Sequence, residues 1–315
     1  GMMRLPLKDP KEQTQVDRAQ AQVMVDAFLE SGFTYVDTAY FYHGGESERV
    51  VKDILTSRYP RERYLLADKM PLANLKVKGT VEKQAAIFDE QLEKCGTAYF
   101  DRYLLHCLNA ENYQIAQRLD TFSFLMKKKE EGKLHHLGFS FHDTPETLES
   151  ILSAHPEAEF VQLQINYADW ENPGVQSRRC YETAMKHNTP VLIMEPVKGG
   201  SLVTMREDIS APMREYAPDA SLASWALRFC ASLPGIITAL SGMSTLEQVE
   251  DNTAFMQNVK PLSEAEYAVI EEVKKRMEEA RTIPCTDCKY CVNSCPQSIN
   301  IPGIFAAYNH YMSYN

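Results

Sequence analysis

The stretch from Tyr64 to His106, YLLADKMPLANLKVKGTVEKQAAIFDEQLEKCGTAYFDRYLLH, holds the pattern that decides the fold. Two short runs rich in β-forming residues, Tyr64–Lys69 and Tyr99–His106, lie on either side of Val81–Leu92. In that middle segment, apolar residues recur at a spacing near 3.6. A strand, a helix and a second strand in this order predict parallel strands joined by a crossover helix.

The same alternation runs from the beginning of the chain to about residue 257 and predicts seven strands. Helix starts carry capping residues such as Thr80, Thr144 and Ser244. The other strand candidates are Thr34–Asp37, His135–Ser140, Phe160–Ile165, Pro190–Met194 and Ile236–Leu240. The other helical segments are Ala21–Leu29, Ile115–Lys129, Thr144–Leu152, Arg178–Lys186, Leu222–Phe229 and Thr245–Met256.

A possible eighth strand lies at the N-terminus, where Gly1–Leu5 is short and apolar. Eight strand–helix units in about 250 residues are the size of a (β/α)8 TIM barrel. We expect this α/β fold over residues 1–260. A doubly wound open sheet is the alternative, but no G-x-G-x-x-G pattern follows the first strand.

The composition argues against several classes of partner. The chain has 315 residues, 44% of them hydrophobic, and a formal net charge of −10. It has no basic run interleaved with aromatic residues, so we expect no nucleic-acid partner. Its longest apolar runs are only strand-length, so we expect no membrane partner. Unpaired cysteines suit a reducing compartment, which predicts a cytoplasmic protein.

Residues 261–315 differ in character from the rest of the chain. Ser263–Arg281 is a charged helical segment that begins with a capping box formed by Ser263 and Glu266. After a run of cysteines, Ile299–Tyr311 has the pattern of a short helix. We expect this last helix to pack against whatever the cysteines bind.

Four of the eight cysteines fall within one short run, Cys285-x2-Cys288-x2-Cys291-x3-Cys295, followed by Pro296. Three thiolates at C-x2-C-x2-C spacing can point at one [4Fe–4S] cluster, while the fourth cysteine, before the proline, leads away. A structural zinc site is the alternative, although zinc sites use two separated C-x2-C pairs or histidine ligands. The spacing therefore predicts a small C-terminal helical iron–sulfur segment.

Four polar side chains stand where a barrel places catalytic groups, at the carboxyl ends of its strands. Asp37, Lys69 and His106 end three consecutive predicted strands, and Tyr42 follows Asp37 by five residues. Any one of them alone is more often a strand-end ion pair or a core histidine. Together they predict a catalytic site.

The chemistry of these residues is that of proton transfer to a carbonyl group. A tyrosine pKa is about 10, which is high for an acid at neutral pH. We expect the Lys69 ammonium to lower the pKa of Tyr42, and Asp37 to orient Lys69. His106 would donate a hydrogen bond to the substrate oxygen. A carbonyl compound could then accept a hydride at carbon and a proton from Tyr42 at oxygen.

These residues resemble the signature of a known family. The run Asp37-Thr-Ala-Tyr-Phe-Tyr42-His-Gly-Gly-Glu-Ser, the strand that ends at Lys69 and the strand Tyr103-Leu-Leu-His106 are similar to those of the aldo-keto reductases. With the cysteine run, the chain resembles the branch of that family that carries a C-terminal ferredoxin-like [4Fe–4S] segment. The resemblance implies a (β/α)8 barrel, reduction of an aldehyde or ketone with NADPH or NADH, and a catalytic tetrad. The tetrad residues are Asp37, Tyr42, Lys69 and His106.

The resemblance also implies a nicotinamide site. Ser140 and Gln162 match the residues that hold the nicotinamide carboxamide, while Phe141 stands where the family has an asparagine. Met194 stands where an aromatic ring often stacks on the nicotinamide, and a thioether can pack there too.

For the phosphate end of the nucleotide, the resemblance implies Ser241, Gly242, Ser244, Gln248 and Asn252. They surround the N-terminus of a predicted helix, where backbone N–H groups bind anions. Members that prefer NADP carry Lys and Arg where Gly242 and Gln248 stand, and these side chains are natural partners of a 2′-phosphate. The choice between NADP and NAD is therefore open.

The family comparison further implies that both ends of the chain are trimmed. Most of a strand precedes the position of Gly1 in the family, and a second cysteine run is common in the iron–sulfur branch. In two-cluster proteins the fourth cysteine ligates the other cluster, so Cys295 closes either its own cluster or a second one.

Two functions other than carbonyl reduction remain open at this point. One is an electron-transfer or partner-docking protein that uses the barrel as a scaffold and has a redox protein as its partner. The other is a zinc-stabilised protein without redox activity. Nucleotide binding separates the first from a reductase, and metal analysis identifies the second.

Overall fold

The fold was analysed in a computed structural model that describes residues 1–280 and 283–314. Seven parallel strands form one sheet in the order of the sequence, each paired with its neighbour in the chain. All seven predicted strands are confirmed, with ends that differ by one or two residues. The strands are β1 (Tyr35–Asp37), β2 (Leu65–Met70), β3 (Phe100–Leu108), β4 (Leu134–Phe141), β5 (Phe160–Gln164), β6 (Val191–Met194) and β7 (Ile236–Ala239).

Helices connect the strands and continue after the last one. They are α1 (Arg18–Glu30), α2 (Ser47–Val51), α3 (Val81–Cys95), α4 (Ala110–Arg118), α5 (Thr121–Glu130), α6 (Pro145–Ala154), α7 (Ser177–Lys186), α8 (Glu207–Tyr216), α9 (Leu222–Ala231), α10 (Leu246–Met256), α11 (Glu264–Glu279), α12 (Tyr290–Asn293) and α13 (Ile301–Tyr314). The predicted end of the charged helix at Arg281 lies outside the described residues. None of the described helices is long and apolar enough to cross a membrane.

The two faces of the sheet have different surroundings, because successive side chains of a strand point in opposite directions. Side chains on one face, such as Leu105 and Val161, join the large core that the helices cover. Their neighbours on the other face form a small cluster of their own, which consists of Ala67, Leu104, Phe160 and Leu192. This second, inner face is the one that carries the polar residues of the site.

The prediction of an eighth strand at Gly1–Leu5 is wrong. Met2–Arg4 forms a 3-10 helix, because the polar backbone groups of this segment find partners outside the sheet. The N–H of Leu5 donates to His43 Nε2 at 3.2 Å, and the amino group of Gly1 donates to the carbonyl oxygen of Ser241 at 3.1 Å. The segment therefore bridges the loops after β1 and β7. Without this eighth strand, the described residues form a seven-stranded half-barrel in place of the predicted closed (β/α)8 barrel.

Two helix predictions need correction, and others are confirmed. The segment predicted as one helix over Ile115–Lys129 is two helices, α4 and α5, because Asp120 adopts left-handed backbone angles (φ 49°). The helix α10 is capped by Thr245, which accepts from the N–H of Gln248, and not by Ser244. Thr80 and Thr144 cap α3 and α6 as predicted. The capping box at the start of α11 is also confirmed.

Candidate active site

Three strand-end side chains and Tyr42 meet on the inner face of the sheet. Lys69 and His106 lie two residues beyond Ala67 and Leu104, so they project to the same side as the inner cluster. Lys69 is fully buried, and its Nζ lies 2.8 Å from Asp37 Oδ1 and 3.3 Å from the Tyr42 hydroxyl. The rings of Tyr42 and His106 stand edge to face with centroids 6.1 Å apart. The structure thus brings the four residues together, while their catalytic roles stay predictions.

The electrostatics of Tyr42 differ from what we predicted. Burial raises the pKa of Tyr42 well above its ordinary value, and the Asp37 carboxylate raises it further. The predicted lowering of this pKa is therefore wrong in direction, because burial of the phenol and then the nearby Asp37 carboxylate disfavour the phenolate, although Lys69 lies close by. Tyr42 is a protonated phenol at neutral pH, and it can donate a hydrogen bond or a proton.

His106 is held in its neutral form. Burial lowers the pKa of His106 well below its ordinary value, and the charges of Lys69 and His142 lower it further. A neutral imidazole has one N–H and one acceptor nitrogen. Its Nδ1 is buried without a hydrogen-bond partner among the described residues. His106 also lines the cavity, so its ring can contact a ligand there.

The three residues assigned to the nicotinamide line the same cavity as Tyr42 and His106. Ser140 Oγ accepts a hydrogen bond from the N–H of Cys107 at 2.7 Å, which leaves its own O–H free to donate. Gln162 Nε2 lies 3.4 Å from Met194 Sδ, and Gln162 Oε1 is buried without a partner in the described part of the chain. A carboxamide needs one donor and one acceptor, and Ser140 and Gln162 offer that pair.

The residues assigned to the phosphate end mostly bond with one another. Asn252 Nδ2 donates to Ser241 Oγ at 3.1 Å, and the N–H of Ser244 donates to Gln248 Oε1 at 2.7 Å. Gly242 lines the cavity. Ser241, Ser244, Gln248 and Asn252 do not line it, and the N–H of Ser244 would be available to a phosphate only if its bond to Gln248 opened.

Two charged residues in the cavity, Arg4 and Glu195, were given no role from the sequence. Arg4 packs its stem on Gly242, where a Cβ would stand 2.7 Å from Arg4 Cγ. Arg4 Nη2 and Glu195 Oε2 are both buried without a hydrogen-bond partner among the residues described. Burial raises the pKa of Glu195, and Arg4 opposes that rise. Arg4 escaped notice because Gly1–Leu5 was assigned to a strand, although its position near the strand ends was a usable signal.

The four cysteines of the C-terminal run have the right chemistry for a cluster, but they do not converge. Each is a half-buried free thiol, and the N–H of Asp287 donates to Cys285 Sγ at 3.5 Å. Hydrogen bonds to sulfur are typical of iron–sulfur loops. However, no three Cys, His, Asp or Glu side chains in residues 1–280 and 283–314 lie close enough together to hold a metal ion. Binding a cluster would require the sulfurs to move towards one another.

Comparison with known proteins identifies the family. The model of the aldo/keto reductase family matches residues 1–275, the part of the chain that carries the sheet and the four polar residues. The chain belongs to the aldo/keto reductase family, a family of NAD(P)H-dependent oxidoreductases. This confirms the family resemblance drawn from the sequence. The cysteine run lies beyond the matched residues.

Individual relatives are distant. The oxidoreductase YqkF of Bacillus subtilis is 22% identical over 294 residues, which are 82% of this chain and 89% of that protein. The 9,11-endoperoxide prostaglandin H2 reductase of Trypanosoma cruzi is 27% identical over 185 residues, 58% of this chain and 59% of that protein. A crystal structure of an aldo-keto reductase from Klebsiella pneumoniae in complex with NADPH has the same fold. It matches with a TM-score of 0.64 and 20% identity, over 86% of this chain and 90% of that chain.

Proposed function

We propose that this protein reduces an aldehyde or ketone with hydride from NADPH or NADH, and that Tyr42 donates the proton. The observation that carries the proposal is the contact of Lys69 with both Asp37 and Tyr42 in a cavity that also contains His106. The bound nucleotide would supply the hydride. The Klebsiella pneumoniae relative of the same fold was crystallised with NADPH, and the carboxamide-binding pair described above favours a nicotinamide here.

In the proposed reaction, the substrate oxygen lies between the Tyr42 hydroxyl and the His106 ring. Neutral His106 donates a hydrogen bond that orients the carbonyl. Because its pKa is raised, Tyr42 keeps its proton until negative charge develops on the substrate oxygen. The Lys69 ammonium, 3.3 Å away, then stabilises the phenolate that remains.

The residues of the nucleotide site follow from this proposal. Ser140 and Gln162 would bind the carboxamide, and the thioether of Met194 would pack on the ring. At the other end, the Arg4 stem fills the space where a Cβ of Gly242 would stand, so these two residues would form this part of the nucleotide site together. Ser241, Ser244, Gln248 and Asn252 would accommodate the phosphates and ribose. Arg4, whose stem packs on Gly242, brings a guanidinium group to this part of the cavity lining.

Replacement of Tyr42 by phenylalanine tests the proposal. Tyr42→Phe should lose roughly 10²–10⁴-fold in kcat, the usual contribution of a positioned proton donor, while the Kd for NADPH measured by fluorescence stays the same. Tyr40→Phe is the matched control, because Tyr40 bonds to Glu90 at 3.3 Å and does not line the cavity. Full turnover in Tyr42→Phe would rule out the assigned proton donor.

We further propose that Cys285, Cys288, Cys291 and Cys295 bind a [4Fe–4S] cluster in a reducing, cytoplasmic setting, and that a redox protein is a possible partner. The motif spacing and the N–H bond to Cys285 support this proposal. After anaerobic reconstitution, iron and sulfide should bind the wild type, with visible absorption that Cys288→Ser abolishes. Cys180→Ser, a buried thiol in α7, is the control. Zinc in place of iron in the purified protein would contradict the proposal.

A further inference from the structure

The cysteine segment, residues 285–295, forms one wall of the cavity of the candidate active site. Thr286, Cys288 and Tyr290 line the same cavity as Tyr42 and His106. These three residues lie outside the part of the chain that matches the family, which ends at residue 275. A segment added to the barrel is therefore in a position to select what reaches the proposed proton donor.

The segment is seated closely against the loop that follows β6. Gly199 in this loop has a φ of +63°, and a Cβ placed on it would stand 2.7 Å from the carbonyl oxygen of Thr286. Only glycine allows this approach of the two backbones. On the other side of the cavity, the ring of Tyr290 lies 6.2 Å from that of His142, measured between centroids.

We infer that Tyr290 is a specificity-determining residue that caps the pocket and limits the size of the carbonyl compound that can reach Tyr42. This inference rests on the proposed carbonyl reductase function. The cavity measures about 150 Å³, roughly ten times the ~15 Å³ that one water molecule requires. A nicotinamide ring against Ser140 and Gln162 would occupy part of that space. The substrate would share the rest with the Tyr290 ring, so Tyr290 limits how large a carbonyl compound can approach Tyr42.

The position of Tyr290 makes it suitable for mutation. Tyr290 is 53% exposed, so removal of its ring leaves no cavity in the core. Tyr308 of α13 is a matched control, because it is 42% exposed and does not line the cavity. Tyr290→Phe separates the ring, which fills space, from the hydroxyl, which could bond with a substrate.

The experiment compares kcat/KM for a small aldehyde, propanal, with kcat/KM for a bulky ketone, benzophenone, in the full chain with NADPH. Tyr290→Ala should raise the ratio of kcat/KM for benzophenone to kcat/KM for propanal roughly tenfold or more. Hydrophobic pockets discriminate substrates by size within this range. Tyr290→Phe and Tyr308→Ala should keep the wild-type ratio. The Kd for NADPH should be the same in all four proteins, since Tyr290 is assigned to the substrate side.

Gly199→Ala provides a second route to the same result. An added methyl group there meets the Thr286 oxygen at 2.7 Å and displaces the segment from the barrel side, so the ratio should rise as it does in Tyr290→Ala. A wild-type ratio in both variants, with propanal still reduced, overturns the inference and leaves the reductase proposal standing. A wild type that binds NADPH but reduces neither substrate refutes the proposed function itself, before any variant is compared.

Discussion

Removal of the Lys69 ammonium should destabilise the protein far more than removal of an ordinary surface lysine. Lys69 is fully buried, and its Nζ donates to Asp37 Oδ1 at 2.8 Å and to the carbonyl oxygen of Thr38 at 2.7 Å. Asp37 Oδ2 already lacks a partner among the described residues. Lys69→Met would therefore leave a buried carboxylate without its counter-charge, which costs about 3–5 kcal/mol. That is a large part of the 5–15 kcal/mol by which domains are typically stable.

The chain offers a matched control for this prediction. Lys76 pairs with Glu111 at 2.5 Å, but both side chains are more than half exposed, at 57% and 60%. An exposed pair of this kind contributes about 0–1 kcal/mol, so Lys76→Met should scarcely change stability. Both variants remove one ammonium group and keep a similar side-chain volume. The difference between the stability losses of the two variants isolates the effect of burial.

The measurement is the free energy of unfolding from urea titration at neutral pH without added nucleotide. A double variant, Asp37→Asn with Lys69→Met, removes both charges and should regain most of the loss. A loss in Lys69→Met within 1 kcal/mol of that in Lys76→Met would refute the reasoning from burial.

Two further predictions concern the cavity. Burial lowers the pKa of His142 to about 4, so its contribution to stability is complete above pH 6.5 and is lost as the pH falls from 6.5 towards 4. His142→Gln should therefore lose less unfolding free energy than the wild type between pH 6.5 and 4. The difference between the two losses should be about 3 kcal/mol at most. Equal losses in urea titrations would contradict this prediction. Arg4→Gln should weaken NADPH binding and reduce its salt dependence in fluorescence titrations, whereas the exposed Lys8→Gln should do neither. If Arg4→Gln binds NADPH with the same affinity as the wild type, the Arg4 guanidinium does not contact the nucleotide phosphates.

Much of the sheet could be predicted from the sequence because strands such as β2, β3, β5 and β6 are largely buried on both faces. Such strands appear as short, nearly continuous apolar runs, and a polar residue at the end of a run stands out. Lys69 and His106 were found in this way, and the parallel pairing of β2 with β3 then places both on one face, near the same end of the sheet. Where a helix has a standard cap, as at Thr80, its first residue could be predicted as well.

Several of the failed predictions share a cause, which is that long-range contacts override local sequence patterns. The polar groups of Gly1–Leu5 bond to Ser241 and His43, so an apolar run that is compatible with a strand becomes a 3-10 helix. The pKa of Tyr42 depends on burial and on the charge of Asp37, and neither has a signature in the residues next to it. Tyr290 lines the cavity, but it belongs to a segment beyond the alternating strands and helices. Its place in the cavity could therefore not be predicted from that alternation.

The shared cavity also resolves a chemical difficulty in combining the two halves of the chain. A hydride carries two electrons, whereas a [4Fe–4S] cluster passes one at a time, so a cluster that supplied electrons to the carbonyl would need an intermediate carrier. Tyr290 stands between Cys288 and Cys291 in the sequence, and a cluster bound to those thiolates would fix the backbone that carries it. In that role the cluster would set the shape of the pocket without any electron transfer. The redox mismatch is then no argument against a reductase that carries the cysteine run.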